Sequence, residues 1–543
     1  MRLSPLPFCL ASALCLTVVA HAQVSPGFRM IGPHGTSDTY LLDTTGAVVH
    51  TYPSGFTPGN GVYMMADGSI MRAVRLPGGP GPGGTGGGIQ HIAFDGTILW
   101  DFAYNTGGVW GHHDIEVLPN GNVLLIAWES KTNAEAVAAG RNPATVGSIL
   151  RPEHIVELRR SGPTTAIIAW EWHTWDHLIQ DFDSTKANFG VVANHPELLD
   201  INFPGTTPNS GDWQHANSVS YDPVNDWVLL NSPFLNEFWI IDHSTTTAEA
   251  AGHTGGTHGM GGDFLYRWGN PAAYQKGTAA DQKLFGQHGT VFIEPDHPGG
   301  GNVLIFNNQF GGNFSAVHEL VLPIVAGSLT IKPDGTYGPD APVWEYTAPT
   351  PTSFFSGFVS NAVRLPNGNT LIDSGAQGWL FEVTPTKQKV WEHFNTLPSS
   401  NSLVFQASYY ERTLWANTET MSGSAGGTIG FDLVSGTPHA GNFYFLLGSL
   451  SGTAPGLTVD GVNIPLNVDP YFLFTLSDAN GPILPGFSGT LDGLGKASAS
   501  LILPPGAAAP IVGLSLQHAF AIVDTGTSKV SHASNAVPLV ITP

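Results

Sequence analysis

Cysteine is almost missing from this chain of 543 residues: Cys9 and Cys15 are the two it has, and both lie near the start. Beyond them there is no disulfide framework, no thiolate nucleophile and no cysteine-based metal site, so stability has to come from packing. Charge is scarce as well. Charged residues make up 11% of the chain, and 20 Lys+Arg face 42 Asp+Glu for a formal net charge of −22. That sign repels phosphate backbones and anionic lipid, which excludes nucleic acid as a partner. After the first segment no apolar run approaches the roughly 20 residues that a helical membrane span needs. Apolar spacings of three and four are rare, which argues against a helical architecture.

What the chain does hold is glycine and proline, 67 and 41 of them, and 21 histidines, more than lysine and arginine together. Histidine therefore carries the means of placing positive charge locally near neutral pH. The start, MRLSPLPFCLASALCLTVVAHAQ, has one arginine, an apolar run and Ala-His-Ala before Gln23. It reads as a signal peptide over 1–22, and the expected location is secreted or periplasmic. The rest is read as all-β: a six-bladed β-propeller over 23–420, followed by a small β-sandwich-like domain over 421–543. The Gly/Pro tract from Pro77 to Gly88 reads as a flexible surface loop, without the helix and lysine that a phosphate-binding loop requires.

The propeller reading rests on repeated units. Segments from His113, His215 and His288 each begin with a histidine, alternate as a strand, break at Asn, Asp or Gly and resume as a Val/Leu/Ile run. A further unit begins near Asn361. Closing strands repeat as LWDF, WEW, YRWG, VWEY and VWEH, and LPNGNVLLI matches LPNGNTLID. Five units are clear, and a sixth is split between the N-terminus and the region near 400–415. Pairing the first strand with the last would leave no exposed sheet edge. The segment after about Thr420 turns to Gly, Ser, Ala and Leu and reads as an attachment or packing module without catalytic residues.

In a propeller the innermost strand of each blade lines the central axis. His113, His215 and His288 occupy the same place in successive units, so the repeat predicts that they meet there. Three imidazoles can hold zinc, which leaves a metal-dependent hydrolase open. Without metal, a neutral imidazole is a nucleophile and a protonated one stabilises an anionic oxygen or protonates a leaving phenolate.

The segments HHDIEVLPNGNVLL, WQHANSVSYDP, EFWIIDHSTTT, DFLYRWGNP and FGQHGTVFIEP resemble the bacterial arylsulfotransferases over roughly residues 30–415. The resemblance implies an exported six-bladed propeller that moves a sulfuryl group from an aryl sulfate to a phenol, with no nucleotide donor, no cofactor and no metal. It implies that His288 is the catalytic nucleophile, forming a sulfohistidine. His215 and Asn217 would bind sulfuryl oxygens and assist proton transfer, and His113 would hold the donor or act on the acceptor hydroxyl. His112 and Arg267 complete the expected substrate-binding set, with a blade-edge ion pair as the other reading of Arg267 within LYRWGN. Small-molecule aryl sulfate and phenol are the expected partners, and oligomeric state is not indicated. One departure stands out: Pro233 occupies the place where the family has an arginine, and Arg72, Arg267 and Arg364 are the candidate substitutes. A proline there favours the alternative of a non-catalytic secreted propeller that binds sulfated or phenolic ligands.

Overall fold

The computed structural model describes residues 23–81, 83–205, 211–398 and 401–543. The expected signal segment over 1–22 lies outside the described residues. The described chain is almost all β, and among the described residues no helix is long and apolar enough to cross a membrane.

Among the described residues, six antiparallel sheets have four strands each. Their first strands are Pro58–Met64, Val109–Val117, Ser218–Asp222, His288–Phe292, Asn361–Arg364 and Val404–Tyr410. Each of these touches the next, and Val404–Tyr410 returns to Pro58–Met64, so they form a closed ring around one axis. The last sheet is the split one. Val404–Tyr410 pairs antiparallel with Phe28–Pro33, with Met30 opposite Ser408, so the two ends of the ring are hydrogen-bonded to each other and the edge is covered.

The sequence builds these sheets because their middle strands are apolar on both faces. Val123–Glu129 and Trp227–Ser232 are buried nearly throughout, since each sheet packs between two neighbours. Six apolar clusters fill the six gaps. Leu124, Ile126 and Trp172 of one sheet meet Val228, Leu230 and Trp239 of the next, for example, and Leu304 and Phe306 meet Ile372 and Phe381. A fully buried leucine or isoleucine contributes about 1.5–3 kcal/mol, so the gaps hold the ring rigid.

The C-terminal part folds as two packed sheets. One consists of Leu414–Ala416, Gly427–Val434 and Lys496–Leu503, so it draws its first strand from ahead of the boundary expected after 420. The other centres on Ser515–Asp524 and Phe443–Ser449. Phe431, Leu446, Phe487 and Phe520 form the core between them. This part leans on the split sheet: Trp415 packs among Phe28, Leu41 and Tyr52, and the Thr437 backbone N–H donates to Asp43 at 2.7 Å.

Candidate active site

The ring axis opens at both ends, and the two mouths differ in chemistry. The mouth at the far ends of the innermost strands, about 480 Å³, is lined by Tyr63, Glu116, Glu294 and Tyr410 among others. Burial raises both carboxyls there, well above the usual range for Glu116. The other mouth, about 570 Å³, is lined by His34, Asn60, Arg75, Gly83, Gly84, Thr85, His113, His215, His288 and Phe405, among others. Imidazoles and a guanidinium suit an anion, and carboxyls do not.

Local backbone geometry aims the histidines. His113 and His215 have positive φ, 49° and 53°, and Gly289 repeats the turn at 53° directly after His288. Asn60 and Ser360 carry the same sign at the mouths of two other innermost strands. Pairing with the second strand shifts register at these places, between Gly111 and Ile115 and between His288 and Val291. The innermost strands thus kink at one end of the ring, and the kink turns the side chains onto the axis. Non-glycine residues in this region cost about 1–3 kcal/mol each, a strain that the packed sheets must sustain.

His288 has a defined tautomer. Its Nδ1 lies 3.0 Å from the Gly286 carbonyl and 2.9 Å from Asn308 Oδ1. The Asn308 amide cannot be turned over, because its Nδ2 donates to the carbonyls of Ser356 and Val359. Nδ1 therefore carries the proton, and Nε2 is left with a free lone pair. Burial lowers the pKa of this ring to about 4, opposed only in part by the Asn308 contact, so it is neutral near pH 7.

His113 stands on a hydrogen-bonded chain. Its Nδ1 meets Nδ1 of His112 at 2.8 Å, and His112 Nε2 meets Glu153 Oε2 at 2.8 Å. Burial pushes Glu153 well up and His112 down to about 3, so the carboxyl keeps its proton and donates it to His112 Nε2. His112 Nδ1–H then donates to His113 Nδ1, and His113 presents Nε2–H as a donor. His112 itself does not line the cavity; it stacks on Trp128 with ring centroids 4.0 Å apart. His215 sits edge-on to His113, centroids 4.6 Å apart, and is held by Asp212 Oδ2 at 2.5 Å from its Nδ1. Where the resemblance predicts an arginine, the turn after Ser232 places the Phe234 ring flat on His215 at 4.3 Å.

The other expected residues lie apart from the cavity. Asn217 is buried below it, donating to the Gln287 carbonyl and accepting from Asn231, and so steadies the strand that carries His288. Arg267 is buried against Glu237 and donates to the carbonyls of Pro196 and Leu198. Arg72 is spent on Ser37, Thr39 and Phe56, and Arg364 pairs with Glu319. Removing Arg267 strands the buried Glu237 carboxylate. Arg267→Ala is therefore expected to destabilise the fold by about 3–5 kcal/mol, read as a fall in the urea midpoint.

Four of the groups lining the cavity were not visible in the sequence as site residues. Arg75 ends the strand Ile70–Arg75 and, among the described residues, is the only lysine or arginine lining the cavity. No ion pair holds it among the described residues. His34 Nε2 meets Asn60 Oδ1 at 2.7 Å on the same wall. The Gly/Pro tract is not an idle surface loop: the Gly84 carbonyl accepts from the His113 backbone N–H at 2.7 Å. Gly84 has φ +64°, and a Cβ there would stand 1.7 Å from His113 Cε1, so glycine is what permits the close cover.

Among the described residues, the groups of three or more ligating side chains whose ligand atoms lie within 4.8 Å of one another do not include the axial histidines.

Ring and cavity together define a β-propeller with a histidine-lined axial cavity. The chain belongs to the arylsulfotransferase (ASST) family, whose model matches residues 20–415, and the family supports aryl sulfotransferase activity in general. No curated protein matches the sequence. Among solved structures, the chain is similar to a protein of unknown function from Bacteroides caccae, with 14% identity and a TM-score of 0.40 over 71% of this chain and 99% of that one. It is also similar to virginiamycin B lyase from Staphylococcus aureus, with 12% identity and a TM-score of 0.33 over 68% and 82%.

Proposed function

We propose that this protein is an exported aryl sulfotransferase that uses an aryl sulfate donor, needs no PAPS, and works through a sulfohistidine at His288. The observation that carries the reading is the fixed tautomer of His288, with Nδ1 donating to Asn308 and Nε2 unprotonated. In the first step the Nε2 lone pair attacks sulfur, the S–O bond to the aryl group breaks, and the phenolate takes the Nε2 proton of His113. His112 Nδ1–H passes to His113 Nδ1 and the Glu153 carboxyl proton passes to His112 Nε2, leaving both rings neutral and Glu153 a carboxylate. In the second step the His113 imidazole takes the proton of an acceptor phenol. The phenol oxygen attacks sulfur, the N–S bond breaks, and the lone pair returns to Nε2. Arg75 and the N–H donors of the imidazoles balance the sulfuryl charge.

The test is a ping-pong assay with 4-nitrophenyl sulfate and a second phenol. A burst of nitrophenolate without acceptor, together with a protein mass increased by one sulfuryl group, is expected; neither appearing refutes the reading. The competing reading, a binding module for sulfated or phenolic ligands, is favoured by Pro233 and by Phe234 in place of a cation, and it predicts binding without turnover. The pH profile adds a check. A nucleophile whose pKa is depressed is active when neutral, so kcat/KM is level through neutral pH and falls as pH drops through about 4. An acid limb near the ordinary histidine value of about 6.5 contradicts a buried nucleophile.

A further inference from the structure

The mouth of the histidine cavity is divided around the ring. The leucine of LPNGN is Leu118 in one unit and Leu365 in another, so the place of His113 in its unit falls on Ser360, just ahead of the strand Asn361–Arg364. Ser360 is buried and its Oγ donates to Ser356 Oγ at 2.9 Å, so this sheet offers the axis no imidazole. What it presents to the cavity is Phe358 and Val359, and the split sheet beside it adds Leu403 and Phe405. The axial histidines and Arg75 come from the other four sheets, and His34 stands at the border, bonded to Asn60. An apolar arc thus faces an arc of imidazoles and one guanidinium.

Within the apolar arc Phe358 is the bare ring. It is 53% exposed, whereas Phe405 is buried beside His113 and His288, with ring centroids 5.9 and 6.3 Å away. The backbone that holds Phe358 there is strained: Val359 and Ser360 have φ of 55° and 91°, a region that a β-branched residue enters only when its surroundings impose it. Those surroundings are a set of hydrogen bonds. Ser356 Oγ donates to the Phe358 carbonyl at 2.9 Å, and the Ser360 N–H donates to the Phe405 carbonyl at 3.2 Å. Asn308 Nδ2 donates to the carbonyls of Ser356 and Val359, each at 2.8 Å. Asn308 is also the amide whose Oδ1 accepts the proton of His288, so one side chain ties the turn of Phe358 to the ring of the nucleophile.

We propose that Phe358 is the platform on which the aromatic bodies of donor and acceptor rest in turn, and that it sets the preference of the site for broad planar aryl groups. This role depends on the sulfuryl transfer proposed above. Transfer between two nucleophiles sets the entering and leaving atoms in line through the moving group, as in phosphoryl transfer. The phenolate that departs and the phenol that arrives therefore share the side of sulfur opposite His288 Nε2. His288 is buried, so the phenol enters from the mouth that Phe358 borders, and one aromatic surface serves both steps. Covering the bare ring with a planar one takes apolar area of both out of water and adds the contact between the two rings.

Phe358→Ala is expected to leave the urea midpoint unchanged and to raise KM by about 10-fold for both 4-nitrophenyl sulfate and the acceptor phenol. With uniform binding lost, kcat at saturation stays within about twofold of the wild type. Phe358→Trp is expected to keep both KM values. The wild type should favour 2-naphthol over phenol as acceptor, and Phe358→Ala should lose that preference. Calorimetry with 4-nitrophenol alone, which needs no turnover, should show the same rise in Kd. Unchanged KM and Kd in Phe358→Ala, a rise for the donor alone, or a naphthol preference that survives the substitution would each overturn the platform. A wild type that binds 4-nitrophenol without burst or mass increase, and loses the binding in Phe358→Ala, refutes the sulfotransferase reading and supports the platform. Turnover in the wild type with equal Kd in the variant does the reverse.

Discussion

His288→Ala is expected to lower kcat for nitrophenolate release by about 10⁴-fold or more, the scale of removing a covalent nucleophile. The burst and the mass increase vanish with it, while donor binding, measured by calorimetry, persists because the other lining groups remain. Asn308→Leu tests the same chemistry one residue back. Asn308 Oδ1 accepts the Nδ1 proton, and its amide is locked by two carbonyls. Without it the ring can place its proton on Nε2, where it blocks attack, and the expected loss is about 10²–10⁴-fold. Gly286 still accepts from Nδ1 at 3.0 Å, which is why the loss is smaller than for alanine at 288. The double variant should be no worse than His288→Ala alone, since both act on one lone pair. Equal kcat in wild type and His288→Ala removes covalent catalysis from the account.

The histidines were legible because the chemistry is written on a repeat. His113, His215 and His288 each precede an alternating strand, and a repeat forced onto a ring brings equivalent positions to its axis. The closure of the ring was legible for the same kind of reason, since the N-terminal strands and the region near 400–415 each made part of one unit, and pairing first with last leaves no exposed edge. Asn308 was not legible. It follows the second strand of its sheet, in IFNNQ, and reaches His288 only because the turn after Asn307 folds back. Arg75, His34 and Asn60 come from three places with no shared motif. Arg267 misled in the other direction: FLYRWGNP marks a conspicuous segment, yet the guanidinium neutralises Glu237 inside the sheet packing. The Gly/Pro tract was read from composition, which reports how a segment can bend and not what it lies against.

Strain and cover act together at this mouth. Positive φ at His113 and His215 turns both rings inward, and Gly83 and Gly84 close over them; a Cβ at Gly83 would lie 3.4 Å from His215 Cε1. Rings so enclosed lose water, and lost water is the main reason that His113 and His288 are held neutral. In the proposed reaction neutral imidazoles act as nucleophile and proton carriers, which leaves the sulfuryl charge poorly met. One permanent cation at the cavity meets that need.

In the proposed reaction Arg75 supplies that charge, and Arg75→Met is expected to cut kcat/KM for the aryl sulfate by up to about 10²-fold, the lower end of the cost of deleting a donor to a developing anion, because its guanidinium is exposed. Methionine keeps the length of the stem and removes the charge, so the fold is unaffected: the backbone N–H of Arg75 still donates to Thr57. Arg75→Lys should recover part of the loss, because a point charge replaces the planar fork. The acceptor phenol is neutral, so its KM should barely move. Raised salt should weaken the wild type's affinity for the donor and leave that of Arg75→Met nearly flat, since screening acts only where a charge pair exists. A donor kcat/KM unchanged in Arg75→Met would mean that the sulfuryl group is met by imidazole N–H groups alone. The ring of His113 and His215, with Phe234 stacked on the latter, would then have replaced the missing arginine by geometry, without net charge.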